Sequence, residues 1–244
     1  MSISVAVVGA SGKMGRLFCR LIEESADYEV HSRLGSRSAL EEMNGADLVV
    51  DVSNPSASAE IVAHALGTGA NVLVGTSGWS AERLAALGRS IPEGRGVLVI
   101  PNFSVGSVLG TTLASIASRF YESIEIIEAH ASTKIDSPSG TAVRTAEQID
   151  RARSGLGPVE APHADQRARG ELIAGIPVHS LRMRGIVAQQ SVILGGPGET
   201  LTITHDTIDQ GAYEPGIRLA LGRAREITGL VVGLENVINL GLGE

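Results

Sequence analysis

The sequence predicts an α/β fold in two parts. A parallel sheet layered by helices occupies residues 1–103 and is completed by the C-terminal stretch 213–244, while a second, α+β part with a mixed or antiparallel sheet occupies 104–212. The chain opens on a β-branched strand that breaks at Gly9 and passes directly into a helical apolar pattern. Near-continuous apolar strands then alternate with helical stretches up to Phe103, the pattern of a sheet covered on both faces. Beyond Phe103 the alternation stops and strand-like segments dominate, two of them joined by Gly195-Gly196-Pro197-Gly198.

The first element, "ISVAVVGASGKMGRLFCRLIEES", reads as strand, glycine turn and helix, with Met14, Leu17, Phe18, Leu21 and Ile22 at helical spacing. Gly9, Gly12 and Gly15 let the backbone approach a pyrophosphate, whose charge the helix N-terminus stabilises; Ser11, Lys13 and Met14 complete that turn. This is the opening of a Rossmann-type dinucleotide fold, spaced GxxGxxG. A Walker loop is excluded because Met14, not Ser or Thr, follows Lys13.

The second strand, "YEVHSRL", leads to Gly35, Ser36 and Arg37, where an NAD-preferring fold usually places an acid on the ribose. No carboxylate stands there to repel a 2′-phosphate. Arg37 is in reach to bind one, with Arg33 just before it, so NADPH is the expected cofactor and NADH a possible one. Strands at 46–54, 70–78 and 96–104 follow, separated by the helical "SASAEIVAHAL" and "SAERLAALGRS". Ligands bind such sheets at the carboxyl ends of the strands, which puts Gly9, Ser53, Gly75, Thr76 and Asn102 along one rim. Ser53, Thr76 and Asn102 also suit ordinary turn chemistry.

Composition narrows the partners. A formal charge of −7 and 3% aromatic residues argue against a nucleic-acid surface, which needs basic stripes or stacking rings. No run approaches a membrane span, the first residues lead straight into a strand without a basic n-region, and the single cysteine, Cys19, fits a reducing cytoplasm. No metal is expected. Of the 20 Lys plus Arg residues only Lys13 and Lys134 are lysine, so routine surface charge is carried by arginine. A compact ammonium with a tunable pKa differs from an always-charged guanidinium, which makes the place of Lys134 informative.

In the second part, "YESIEIIEAH", "IPVHSLRMR", "QQSVILGG" and "ETLTITHD" read as strands, and "GTAVRTAEQIDRARSG" as the clearest helix. The Pro-, Gly- and charge-rich segment 155–175 reads as a loop. The final "YEPGIRLALGRAREITGL" reads as a helix closed by Gly229, packing back on the first part. Within "EAHASTKIDSPSGTA", Glu128 and His130 share one strand face, and the chain then loops to Lys134 and a helix opening at Pro138-Ser139-Gly140-Thr141. The N–H groups of Ser139, Gly140 and Thr141, with two hydroxyls and the Lys134 ammonium, suit an anion site. Imidazole, ammonium and helix N-terminus together fit a small carboxylate substrate that also needs a proton. A plain N-cap beside a surface lysine accounts for the same residues.

"VVGASGKMG", "VGTSGW", "IPNFSVG", "EAHASTKIDSPSGTA" and "GGPGETLTITHD" resemble, in order and spacing and over nearly the whole chain, the 4-hydroxy-tetrahydrodipicolinate (dihydrodipicolinate) reductases. The resemblance implies NAD(P)H-dependent reduction of a cyclic unsaturated dicarboxylate on the diaminopimelate route to lysine, by a homotetramer assembled through the second domain. Carried over by motif, His130 corresponds to the acid/base and Lys134 to a proton-donating, substrate-binding group. Ser139, Gly140 and Thr141 correspond to the carboxylate-binding turn, and Gly9, Gly75, Thr76, Ser77, Pro101, Asn102 and Phe103 to cofactor contacts. One departure stands out: where the family has a second histidine beside the first, this chain has Ala131. Ala131 keeps open a related imine reductase acting on a different cyclic substrate. A nucleotide-binding sensor without catalysis is a further alternative, opposed by the retention of His130, Lys134 and the Ser-Gly-Thr turn.

Overall fold

The computed structural model describes residues 2–238. In chain order its first elements are β1 (Ile3–Val8), α1 (Lys13–Glu23), β2 (Tyr28–Leu34), β3 (Leu48–Asp51), α2 (Ser58–Gly67), β4 (Asn71–Val74), α3 (Ala81–Ser90) and β5 (Gly96–Val99). Then come α4 (Val105–Ala117), β6 (Ser123–Ala131), α5 (Gly140–Ala152), β7 (Glu171–Ile173), β8 (Ile176–Met183), β9 (Ala188–Gly196), β10 (Glu199–Thr207), α6 (Glu214–Ala224) and β11 (Gly229–Val232). Contacts divide them into two compact units, one running to Phe103 and resuming at Tyr213, the other spanning Ser104–Ala212. Of the C-terminal stretch read as completing the first part, residues 239–244 lie outside the described residues.

In the first unit the described strands form a parallel sheet of order β11-β5-β4-β3-β1-β2. β3, β4 and β5 are buried along their whole length, which is why their sequences are continuous runs of Val and Leu. α1 covers one side through Leu17, Phe18, Leu21 and Ile22, and Phe18 meets Phe103 edge-to-face at 5.4 Å between ring centroids.

The helix read as running to Gly229 stops at Ala224. The Asn71 side chain donates to the carbonyls of Ala224 (2.9 Å), Arg225 (3.3 Å) and Ile227 (3.2 Å), fixing the helix end from a distant strand. The freed residues from Gly229 onward pair with β5 as β11.

The second unit is a mixed sheet of order β10-β9-β6-β8-β7, in which β6 and β8 run parallel and the other pairs antiparallel. α4 and α5 cover one face and enclose Ala114, Ile124, Ile126, Ala142, Ala146, Ile149, Val178 and Val192. Alternation along β6 therefore sends Glu128 and His130 to the helix-covered face, where their register partners on β8 are Ser180 and Arg182. Glu125, Ile127 and Ala129 leave on the opposite face beside His179, Leu181 and their neighbours. Two sequence readings change here. α4 lies where a strand-only run follows Phe103, and the loop read over 155–175 contains β7, an edge strand held by β8.

Candidate functional site

The rim at the carboxyl ends of the first sheet gathers the residues read as cofactor contacts. Gly9 follows β1 with φ +88°, a conformation that favours glycine, and a Cβ on Gly15 would overlap the backbone of Gly9 and Ala10. The Gly12 N–H donates to the Gly9 carbonyl at 3.0 Å, and α1 begins at Lys13 without a side-chain cap or an acid in its first turn. Its leading N–H groups thus meet no side-chain carboxylate of that turn, and the chain leaves no bulk against them. These features fit a pyrophosphate. Arg16 secures the turn by donating to the Ser11 carbonyl, a contact the sequence reading missed.

Ser36 and Arg37 are exposed in the turn after β2, where Ser38 and Gly35 exchange hydrogen bonds of 3.2 Å. Arg33, which stands just before that turn, is ion-paired with Glu23 of α1. Gly75, Thr76 and Ser77 follow β4, and Pro101, Asn102 and Phe103 follow β5. Phe103 is buried against Phe18, and a Cβ on Gly75 would come within 2.8 Å of its ring, so Phe103 shapes the rim from beneath.

Between these loops lies Asp51, wholly buried at the end of β3. It accepts from the Ser53 N–H (3.0 Å), the Ser53 hydroxyl (2.5 Å) and the Thr76 hydroxyl (3.0 Å), and also from the Ser58 hydroxyl. Ser58 in turn accepts from the Trp79 indole at 3.0 Å. Ser53 and Thr76 are therefore turn-fixing residues as well as rim residues.

In the second unit Glu128, His130, Lys134 and the Ser139 turn come together. Glu128 is 0% exposed. Arg182 embraces it with two hydrogen bonds of 2.9 and 2.8 Å, His130 Nδ1 lies 2.6 Å from its Oε2, and the Ser139 N–H donates to Oε1 at 3.2 Å. Burial pushes this carboxyl up, but Arg182, then Ser180 and His130, outweigh it and hold it below the ordinary glutamate range. Arg182 also donates to the Asp136 carbonyl at 2.5 Å.

A turn closed by the Lys134 N–H on the Ala131 carbonyl (3.0 Å) brings Lys134 back beside the strand end. Its ammonium lies 2.7 Å from Asp136, and this hydrogen bond is the leading reason the Asp136 carboxyl sits below its usual range. The lysine thus has a carboxylate partner within its own turn. Ser139 caps α5 by accepting from the Ala142 N–H at 3.2 Å while its own N–H serves Glu128, so it shapes the turn and Gly140 and Thr141 carry its outer side.

Arg182 and Asp136 escaped the sequence reading. Asp136 stood inside the quoted motif, whereas Arg182 reaches the site only through the parallel pairing of β8 with β6. Ala131 lies at the end of β6 opposite Met183, one residue beyond His130, so strand alternation directs its side chain to the other face of the sheet. Among the described residues no cluster of His, Cys, Asp and Glu suits a metal ion.

Residues 3–103 match the family described as dihydrodipicolinate reductase, N-terminus, and residues 106–238 match dihydrodipicolinate reductase, C-terminus. The chain is 56% identical to the 4-hydroxy-tetrahydrodipicolinate reductase of Clavibacter michiganensis, over 98% of this chain and 87% of the relative. It is 41% identical to the enzyme of the same name from Streptomyces coelicolor, over 98% of each. Among solved structures it is similar to the dipicolinate-bound dihydrodipicolinate reductase of Paenisporosarcina sp. TG-14, with a TM-score of 0.82 and 29% identity over 98% of this chain and 100% of that one.

Proposed function

The chain belongs to the dihydrodipicolinate reductase family, and we propose that it reduces 4-hydroxy-tetrahydrodipicolinate to tetrahydrodipicolinate on the diaminopimelate route to lysine. The observation that carries this is the joining of His130 and the start of α5 on the buried Glu128 carboxylate in the second unit, with Lys134 in the turn between them. A nicotinamide dinucleotide, when bound, supplies the hydride. Gly9, Ser11, Gly12, Lys13 and Met14 would hold its pyrophosphate, with Gly75, Thr76, Ser77, Pro101 and Asn102 lining the same rim over Phe103.

In the second unit the Lys134 ammonium and the Gly140–Thr141 turn bind a substrate carboxylate, which takes the place that Asp136 holds beside Lys134. His130, with Nδ1 occupied by Glu128, presents Nε2 as the proton donor, and Lys134 assists. Lys134→Arg should keep part of the substrate affinity and lose turnover by about 10²-fold, because guanidinium supplies charge and not the proton. Lys134→Ala should lose both. Near wild-type turnover in the arginine variant would reduce Lys134 to an electrostatic anchor.

The test of the whole reading is an assay with enzymatically generated substrate, following NADPH and NADH oxidation. Ala131 favours a second reading, a different cyclic imine, and turnover of simpler cyclic imines without turnover of the dicarboxylate would establish it. For the cofactor, the engagement of Arg33 by Glu23 leaves Arg37 as the 2′-phosphate ligand beside Ser36. Arg37→Ala should weaken NADPH several-fold and leave NADH unchanged, read by isothermal titration.

The uncovered face of the second sheet supports a homotetramer. Ile127, Leu181 and Met183 stand 36%, 42% and 45% exposed there, on the face opposite α4 and α5. Light scattering reads the assembly directly. No described helix is long and apolar enough to cross a membrane, and the buried thiol of Cys19 suits a reducing cytoplasm.

A further inference from the structure

We infer that Glu128 is the positioning residue of this site: it fixes the His130 imidazole with Nδ1–H toward its own carboxylate and Nε2 toward the substrate, and ties the substrate turn and the lysine-bearing loop to that imidazole. The inference rests on the assignment of His130 as proton donor and adds to it the group that makes one ring nitrogen the donor.

Glu128 has no exposed surface, and its two oxygens take donors from three different segments. Oε2 faces His130 Nδ1 at 2.6 Å and Arg182 Nη1 at 2.9 Å, while Oε1 faces Arg182 Nη2 at 2.8 Å and the Ser139 N–H at 3.2 Å. An ionised carboxylate only accepts, so the nitrogen facing it carries a hydrogen whether the ring is neutral or charged. The proton that enters and leaves is then the one on Nε2. Arg182 keeps the carboxylate ionised despite burial and passes its hold to the Asp136 carbonyl, two residues beyond Lys134. The Ser139 N–H links the same oxygen pair to the cap of α5. One carboxylate thus sets the mutual register of acid, turn and lysine loop.

Among the described residues, the charged side chains on the segments that adjoin His130 are Glu128 on its own strand, Arg182 in register on β8, and Lys134 and Asp136 in the turn that follows. The opposing residue of β9 is Ala188, and the first turn of α5, Gly140 to Val143, carries no charged side chain. Arg182 and Glu128 offset each other as a pair, so removing the carboxylate leaves the imidazole beside a lone guanidinium.

The decisive measurement on the wild-type protein is 15N NMR of labelled histidines above the His130 transition. Nδ1 protonated and Nε2 bare is expected, the reverse of the form favoured in water, and an Nε2–H tautomer overturns the inference. In Glu128→Gln the pH profile of kcat/KM should shift toward lower pH, with the dinucleotide KM unchanged. An unmoved profile in the folded variant also overturns it. His130→Gln with wild-type turnover would remove His130 as donor while leaving the tautomer result standing, so the two assignments fail separately. If Glu128→Gln does not fold, the wild-type tautomer decides.

Discussion

Each unit is organised around one wholly buried carboxylate on a central strand, Asp51 at the end of β3 in the first and Glu128 within β6 in the second, and the two are satisfied in opposite ways. Asp51 takes hydroxyls from Ser53, Ser58 and Thr76 and one backbone N–H, all neutral. Glu128 takes a guanidinium, an imidazole and one backbone N–H. Neutral donors can fix a loop and nothing more. Charged and titratable donors fix a loop and also couple it to proton transfer. The difference matches what each rim is proposed to do: the first must hold a dinucleotide still, the second must hold an acid that gives up its proton.

Truncation should separate them most. Glu128→Ala leaves Arg182 as a largely buried cation without its carboxylate, a loss of roughly 3 kcal/mol or more. Asp51→Ala leaves hydroxyls that can rotate toward other acceptors, a loss of about 1–3 kcal/mol. Denaturant titration of the two variants gives the order, and a larger loss for Asp51→Ala would break the comparison. The sign of the pH dependence sharpens it. Because the folded Glu128 carboxyl lies below the ordinary range, its contribution is present above the unfolded value of about 4.3 and is lost as pH falls through the folded one. The gap between wild type and Glu128→Ala should therefore narrow in acid.

A milder change asks whether the first rim needs the charge at all. Asp51→Asn keeps an acceptor for Ser53 and Thr76 and turns a donor toward Ser58, whose hydroxyl already accepts from Trp79. The cost should be about 1 kcal/mol, with a raised KM for the dinucleotide and an unmoved pH profile of kcat/KM. A shifted profile would give Asp51 a part in proton handling and erase the contrast with Glu128→Gln.

What the sequence made legible follows the same divide. The first sheet was readable because each strand is a buried apolar run between glycine or helical punctuation, and pairing follows from order along the chain. β11 was hidden because the side chain that ends α6, Asn71, lies far away in sequence. α4 was hidden by Gly106 and Gly110, poor helix formers that a local reading marks down. Gly106 is there because the strand beneath needs room: a Cβ on it would come within 2.7 Å of the His205 ring. In the site, Glu128, His130 and Lys134 could be seen together because seven residues hold them. Arg182 joins them only through the parallel register of β6 and β8, which no spacing in the chain encodes.

The smallest effect tests whether the charged character of the second unit is confined to the Glu128 cluster. His205 lies on β10, two strands from Glu128 and on the same helix-covered face, beneath Gly106, with its Nε2 3.2 Å from the Ser104 hydroxyl. Burial pushes its pKa down, against a weaker upward pull from Asp206. The unfolded chain therefore takes up the proton first as pH falls. The stability that His205 contributes is complete above the unfolded value of about 6.5 and drains away as pH drops below it. His205→Gln, which keeps a hydrogen-bonding group and cannot titrate, should flatten the stability curve between pH 7.5 and 5.5 without moving the kinetic transition of His130. If the kinetic transition moves as well, the face shared by Glu128, Gln190 and His205 acts as one titrating network, and the proton chemistry of the second unit reaches across three strands.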